Sequence, residues 1–148
     1  MAISKDAIGK QWPQVVYQAG REKIREFANA IGAHNQVHHD REAALAAGYR
    51  DVVAPPMFCV VYSAPAIAPG ILDPEVGINF ATMVHGGQEF IWGEPVCSGD
   101  EITTTATLAD VFQKADKGFY VFESESVNQD GQQTVRGVWT NIVRGLDE

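Results

Sequence analysis

The chain has 148 residues, of which 45% are apolar and 20% are charged, and its formal net charge is −8. These values are ordinary for a soluble globular protein, and the length predicts one domain over residues 1–148. They exclude a basic nucleic-acid-binding face, and the longest apolar stretch, residues 52–71, contains four prolines and is therefore a poor membrane span.

Cys59 and Cys97 are far apart and form neither a CxxC pair nor a disulfide framework. Free, buried thiols in a reducing compartment are the expectation. The first residues carry no secretory signal, so we expect a cytoplasmic protein that binds neither membrane nor nucleic acid.

Helix signals fill the first half of the chain. Residues 22–33 carry apolar side chains at i, i+3, i+4 and i+7, from Ile24 to Ile31, which predicts a helix that stops near Gly32. A polar turn over residues 34–39 follows. Asp40 is then a typical N-cap for a short helix over residues 41–47.

A second kind of helix is expected over residues 57–68. This stretch is apolar nearly all round, which predicts a buried helix. A proline is well placed in its first turn, whereas Pro65 should kink or shorten it, because proline has no N–H to donate.

The second half of the chain favours strands. Candidates are residues 89–92, 101–108, 119–127 and 134–143, with a hairpin turn at residues 128–131 and a turn or bulge at Gly86-Gly87. Helices first and antiparallel strands later predict an α+β protein, in which one buried helix is wrapped by the sheet. Such a sheet leaves an open edge, which favours dimerisation.

Three stretches resemble the MaoC-like, (R)-specific enoyl-thioester hydratase/dehydratase family. Residues 35–40, Asn-Gln-Val-His-His-Asp, resemble its signature Asp-x-Asn-Pro-x-His-x-Asp. Residues 54–58, Ala-Pro-Pro-Met-Phe, resemble the start of its central hotdog helix, and residues 90–101 are also typical of it. Residues 20–28 are most similar to the substrate-binding subunits of the two-component dehydratases of mycolic-acid elongation. The resemblance implies a hotdog fold.

The resemblance also implies a chemistry. Dehydration of a 3-hydroxyacyl thioester removes the proton alpha to the carbonyl and protonates the departing hydroxyl, and a carboxylate and a histidine can divide those roles. Backbone N–H groups at a helix N-terminus stabilise the enolate oxygen. The family takes its Asp and His from the signature and an amide from the start of the central helix.

Carried over by position, His38 and Asn35 are the expected catalytic residues. The family aspartate falls on Ala33, which has no proton to give or take. Pro56 stands where many active hydratases have glycine, although the amide of Met57 remains available. Expected substrate contacts are Pro56, Met57, Phe58 and His85. No metal and no cofactor are expected.

Three hypotheses remain open. In the first, the chain is the acyl-binding half of a two-component dehydratase, acting on an acyl-CoA or acyl-carrier-protein thioester with a second hotdog subunit. In the second, it is a self-sufficient hydratase using His38, with His34 or His39 partly replacing the acid. In the third, it is a thioester-binding or thioesterase-like homo-oligomer, since one fold hosts several activities.

Overall fold

The computed structural model describes residues 3–146, which form a five-stranded antiparallel sheet and three α-helices. The elements, in chain order, are β1 (Val15–Gln18), α1 (Arg21–Ala30), α2 (Arg41–Ala46), α3 (Cys59–Ile71), β2 (Met83–Trp92), β3 (Glu101–Lys114), β4 (Lys117–Val127) and β5 (Gln133–Arg144). The expected α+β class is confirmed.

The strand order is β1-β3-β4-β5-β2, and every neighbouring pair is antiparallel. Strands β3, β4 and β5 form a meander, while β1 and β2 occupy the two edges. The chain therefore crosses from one edge of the sheet to the other between β1 and β2, and passes β5 and β4 on its way from β2 to β3. The expected turn at residues 128–131 joins β4 to β5, with Gly131 at φ +74°. The ladder shifts register between His85 and Gly87, as the bulge prediction required.

Helix α3 packs on one face of the sheet. Its buried side chains include Tyr62, Ala66 and Ile67, and the strand face beneath contributes Leu108 and Phe122, both fully buried. Gly70 permits this approach, because an added Cβ would lie 2.5 Å from the ring of the β4 phenylalanine. No helix within residues 3–146 is long and apolar enough to cross a membrane.

Three local expectations were wrong. Strand β1 was not predicted, because it has only four residues and its partner β3 lies far along the chain. Strand β2 begins at Met83 and not at residue 89 as predicted. Strand β3 ends at Lys114 and not at residue 108. The first helix ends at Ala30 rather than residue 33, although Gly32 does take a positive φ of +68°, as a helix stop requires.

Pro65 does not shorten the central helix. Helix α3 continues through both Pro65 and Pro69 to Ile71. Both prolines lie on the exposed side of the helix, so the carbonyls that lose a helical donor there remain open to water. The opposite face is held by packing against the sheet, which outweighs the lost hydrogen bonds.

A buried carboxylate joins three segments near the start of the sheet. Asp100 is fully buried and accepts hydrogen bonds from Nη1 and Nη2 of Arg50 at 2.6 and 2.9 Å. It also accepts the amide of Cys97 at 2.9 Å and Nε2 of Gln129 at 3.0 Å. Burial alone would raise its pKa, but these donors outweigh burial and lower the pKa of the carboxyl. Asp100 thereby fixes the loop that enters α3 against the β4–β5 turn.

We expect Asp100→Asn to lower the free energy of unfolding by about 2–3 kcal/mol, because it removes a buried carboxylate that accepts four hydrogen bonds, one of them from the buried amide of Cys97. The matched control is Asp116→Asn, whose partner Lys117 and own side chain are both about half exposed, at 46% and 49%. The control should cost much less, because an ion pair between exposed side chains contributes little to stability. Urea unfolding followed by circular dichroism measures both, and equal losses would contradict the role given to Asp100.

A candidate active site at the start of the central helix

A pocket of about 330 Å³ opens beside the first turn of α3. Its walls come from five segments: the turn at residues 35–38, the loop at residues 49–56, the start of the helix, the chain from Trp92 at the end of β2 to Val96, and Thr134 on β5. Phe58 and Val53 make its walls apolar, and Trp92, half exposed, stands at one side. The volume lies within the ~300–1,000 Å³ range of small-molecule sites.

His38 lies in the pocket wall in a defined tautomer. Its Nδ1 lies 2.6 Å from the carbonyl oxygen of Val53, and the Val53 amide in turn donates to the carbonyl of Val37 at 3.0 Å. A carbonyl can only accept, so Nδ1 must donate its proton there. Nε2 then carries the lone pair, which is the arrangement a general base needs.

Asn35 builds the turn that presents this histidine. Its Oδ1 accepts the amide of Val37 at 3.2 Å and caps the short 3-10 turn Gln36–His38. Both signature residues, Asn35 and His38, therefore line the pocket, as the resemblance implied for their positions. Their catalytic role remains a prediction.

No carboxylate accompanies His38 at the signature position. Ala33 occupies it, and its carbonyl accepts Nε2 of His39 at 2.7 Å. This hydrogen bond holds the His39 ring in a half-buried position. Neither His34 nor His39 lines the pocket. Glu94 is the one carboxylate among the described lining residues, and it lies at the exposed rim.

The 3-10 turn Pro56–Phe58, which leads directly into α3, offers few N–H groups to the pocket. Pro55 and Pro56 have none, and the Phe58 amide donates to the Pro55 carbonyl at 2.9 Å. The amide of Met57 has no acceptor within residues 3–146. The indole Nε1 of Trp92 donates to the Pro56 carbonyl at 2.9 Å and ties the turn to the end of β2.

Of the expected substrate contacts, Pro56 and Phe58 line the pocket, whereas Met57 and His85 do not. The Met57 side chain is 45% exposed and lies outside the pocket. His85 is exposed on β2 with its ring 6.5 Å from that of Trp139. A ligand bound in this pocket would therefore not contact Met57 or His85.

The inner end of the pocket is closed by side chains that were not expected there. Tyr62 donates its hydroxyl to Oγ1 of Thr134 at 3.3 Å, and Cys59 lies one helical turn before it. Burial raises the pKa of the Tyr62 phenol and raises that of the Cys59 thiol to about 11. The spacing from Phe58 to Tyr62 in the helix was a signal for Tyr62, but nothing local marked Thr134.

The chain is a member of the hotdog dehydratase and hydratase class, with a central helix on an antiparallel sheet and a pocket at the helix start. It belongs to the FAS1-like, dehydratase domain region family, whose model matches residues 6–136. A UPF0336 protein of Clavibacter michiganensis subsp. michiganensis is 41% identical and is covered over 99% of both chains. Another, from Saccharopolyspora erythraea, is 38% identical over 100% of this chain and 96% of its own.

Solved structures support the same fold. The HadBC (3R-hydroxyacyl-ACP dehydratase) complex from Mycobacterium tuberculosis contains a chain that is 24% identical, with a TM-score of 0.81 over 93% of this chain and 98% of that one. The (R)-hydratase from A. caviae involved in PHA biosynthesis is 16% identical, with a TM-score of 0.72 over 97% and 100%. The hotdog fold expected from the signature stretches is therefore confirmed.

Both cysteines are free and buried, and burial raises the pKa of each thiol. At pH 8 a thiol of pKa near 11 is thiolate only about one part in a thousand, so we expect iodoacetamide to leave Cys59 unmodified in the native protein. Mass spectrometry after timed labelling measures this, with urea-unfolded protein as the positive control. Rapid labelling of native Cys59 would contradict its burial in the pocket wall.

Proposed function

We propose that this chain is the acyl-binding subunit of a 3-hydroxyacyl-thioester dehydratase, whose acid–base pair comes from a second hotdog subunit. One observation carries the proposal: a pocket at the start of α3 holds a histidine but has no acid at the signature position, and Glu94, the one carboxylate among its described lining residues, lies at the exposed rim. Ala33 takes the place of that acid, and Pro56 removes an amide from the helix start.

The pocket is suited to an acyl chain. Its walls are largely apolar, and the buried pair Tyr62 and Thr134 closes the inner end. A fatty acyl group gains free energy there from burial, at about 25 cal/mol per Å² of apolar surface removed from water. The polar rim, with Asn35 and His38, would then meet the thioester end of the ligand.

A self-sufficient hydratase is the second candidate, and the His38 tautomer is the observation that favours it. Hydration of an enoyl thioester needs proton transfer to the alpha carbon and from the attacking water. His38 can serve one of these transfers through Nε2. His39, which was expected to replace the acid in this hypothesis, is already hydrogen-bonded to the Ala33 carbonyl and lies outside the pocket.

A free sheet edge supports the need for a partner. Strand β2 is ten residues long and pairs on one side only, with β5. Its apolar side chains Val84, Ile91 and Trp92 are 37%, 51% and 50% exposed. Long unpaired edges of this kind invite pairing with another chain. The HadBC and ChsH1-ChsH2 structures, to which this fold is similar, are named as complexes.

We further propose that residues 1–148 act as one domain in the cytoplasm. The free, buried thiols of Cys59 and Cys97 support a reducing compartment.

The first experiment measures hydration and binding with the purified chain alone. We expect trans-2-enoyl-CoA substrates of short and long chain to show no loss of enoyl absorbance, because no carboxylate supports His38. Saturated acyl-CoA should bind saturably and change the fluorescence of Trp92 at the pocket.

His38→Ala is the control for activity, and Trp92→Phe is the control for the fluorescence signal. Turnover that disappears in His38→Ala would overturn the subunit proposal in favour of a self-sufficient hydratase. Absence of both turnover and acyl-CoA binding would contradict either thioester function.

The edge strand gives a second test. We expect Ile91→Lys to weaken self-association or association with a partner subunit by at least tenfold, because it buries a charge in the pairing edge. Ile8→Lys, at a side chain 40% exposed in the N-terminal segment, is the matched control. Sedimentation velocity over a dilution series measures both variants. Equal association of the two would show that the β2 edge is not the contact.

A further inference from the structure

An arginine pair lies beside the pocket and is not used by the chemistry described above. Arg21, the first residue of α1, and Arg41, the first residue of α2, converge on one carboxylate, Asp51. Arg21 binds it in a fork, with Nε to Oδ1 at 2.9 Å and Nη2 to Oδ2 at 2.8 Å. Arg41 contributes only Nε, at 3.3 Å to Oδ2.

This arrangement leaves donors unused. Asp51 is only 15% exposed, and it also accepts the amide of Val52 at 2.7 Å. The two oxygens of Asp51 thus accept two hydrogen bonds from Arg21, one from the Val52 amide and one from Nε of Arg41. Within residues 3–146, Nη1 and Nη2 of Arg41 have no acceptor, and the side chain is 48% exposed. Two guanidinium groups share the single negative charge of Asp51, and the neighbouring carboxylates Asp40 and Glu42 form no ion pair with Arg41 among residues 3–146.

The other cations of the first helix do not share a carboxylate in this way. Lys23 pairs with Glu26 at 2.9 Å, and Arg25 pairs with Glu22 at 2.5 Å, one helical turn apart in each case. Each of those charges has its own carboxylate. Arg41 is therefore distinguished by its open fork rather than by the number of cations nearby.

The pair is close to the pocket along the chain. Arg41 follows His38 by three residues, and Asp51 precedes Val53 by two. His38 and Val53 are joined at the pocket wall by the 2.6 Å hydrogen bond. Three residues of chain span at most about 11 Å, so Arg41 is anchored within that distance of the wall.

An acyl thioester brings an anion to this place. The acyl chains of coenzyme A and of carrier proteins are both attached through a 4′-phosphopantetheine arm, whose thiol end carries the acyl group and whose far end is a phosphate. A chain of formal charge −8 repels such a group over most of its surface. A guanidinium with a free fork is well suited to bind the phosphate, because it can hold two phosphate oxygens at once.

We propose that Arg41, positioned by Asp51 and Arg21, binds the phosphate of the phosphopantetheine arm. This inference rests on the proposed function, because it takes the acyl group to lie in the pocket at the start of α3. Arg21 is the positioning residue, since both of its bound nitrogens are committed to Asp51.

The test compares three ligands that carry the same saturated acyl chain: an N-acetylcysteamine thioester without phosphate, an acyl-4′-phosphopantetheine, and the acyl-CoA. Dissociation constants are measured calorimetrically for the wild-type protein, Arg41→Gln and Arg41→Lys. Arg136→Gln is the matched control, because Arg136 is likewise half-exposed and ion-paired, to Glu123 at 3.2 Å. Arg41→Gln leaves the Arg21–Asp51 fork intact, and an unchanged melting temperature checks the fold.

We expect Arg41→Gln to weaken both phosphate-bearing ligands about tenfold, since a charge-assisted pair is lost, and to leave the phosphate-free thioester unchanged. Arg41→Lys should recover part of the loss, because lysine keeps the charge without the fork. Raising the salt concentration should weaken the wild-type protein more than Arg41→Gln. Equal losses for acyl-CoA and for the same acyl group on a carrier protein would place the contact on the shared arm.

Two other results would overturn this inference, and a third would contradict the proposed function. Unchanged affinity of Arg41→Gln for all three ligands overturns this inference and leaves the proposed function standing. A loss for acyl-CoA alone also overturns it, because Arg41 would then meet the nucleotide end and not the arm. Failure of the wild-type protein to bind any acyl thioester is instead a failure of the proposed function.

Discussion

Contact between helix α3 and the inner face of the sheet sets the position of everything around the pocket. Gly70 brings the helix to within van der Waals contact of the Phe122 ring, and Ala66 and Ile67 continue that contact along the same face. A helix held this firmly can carry two prolines on its outer side. Its first turn must then begin at the sheet border, where Trp92 donates to the Pro56 carbonyl. The pocket is lined by the start of this helix and by the loop that precedes it.

Buried carboxylates hold this loop in place. Asp100 is buried and accepts hydrogen bonds from the half-exposed Arg50, while Asp51 accepts hydrogen bonds from Arg21 and Arg41 at the surface. The donors of Arg21 lower the pKa of Asp51 to about 2, so its charge persists at any pH near neutrality. Because the folded pKa is below the unfolded one, this contribution to stability is present above about pH 4 and is lost as the pH falls toward 2. Fixing the loop fixes the Val53 carbonyl, and through it the tautomer of His38.

The pocket is better equipped for holding a ligand than for transforming it. A base with a defined lone pair is present, but its acidic partner is replaced by Ala33, and the helix start has lost amides to two prolines. Such a site retains the shape of the dehydratase fold and the apolar walls that an acyl chain needs. Under the proposed function, association through the β2 edge would let another subunit supply the missing groups.

The sequence by itself determined those features whose causes are local. Asp40 caps α2, Gly131 turns the β4–β5 hairpin, and residue 33 cannot act as an acid, because each depends on one side chain or a few adjacent residues. The α+β class followed from the order of the signals along the chain, with helices in the first half and strands in the second. Only the tertiary structure decided that β1 pairs with β3, that Thr134 closes the pocket, that Met57 and His85 lie outside it, and that Asp51 is shared by two arginines. These depend on hydrogen bonds and packing between residues distant in the chain, and no local pattern encodes which distant groups will meet.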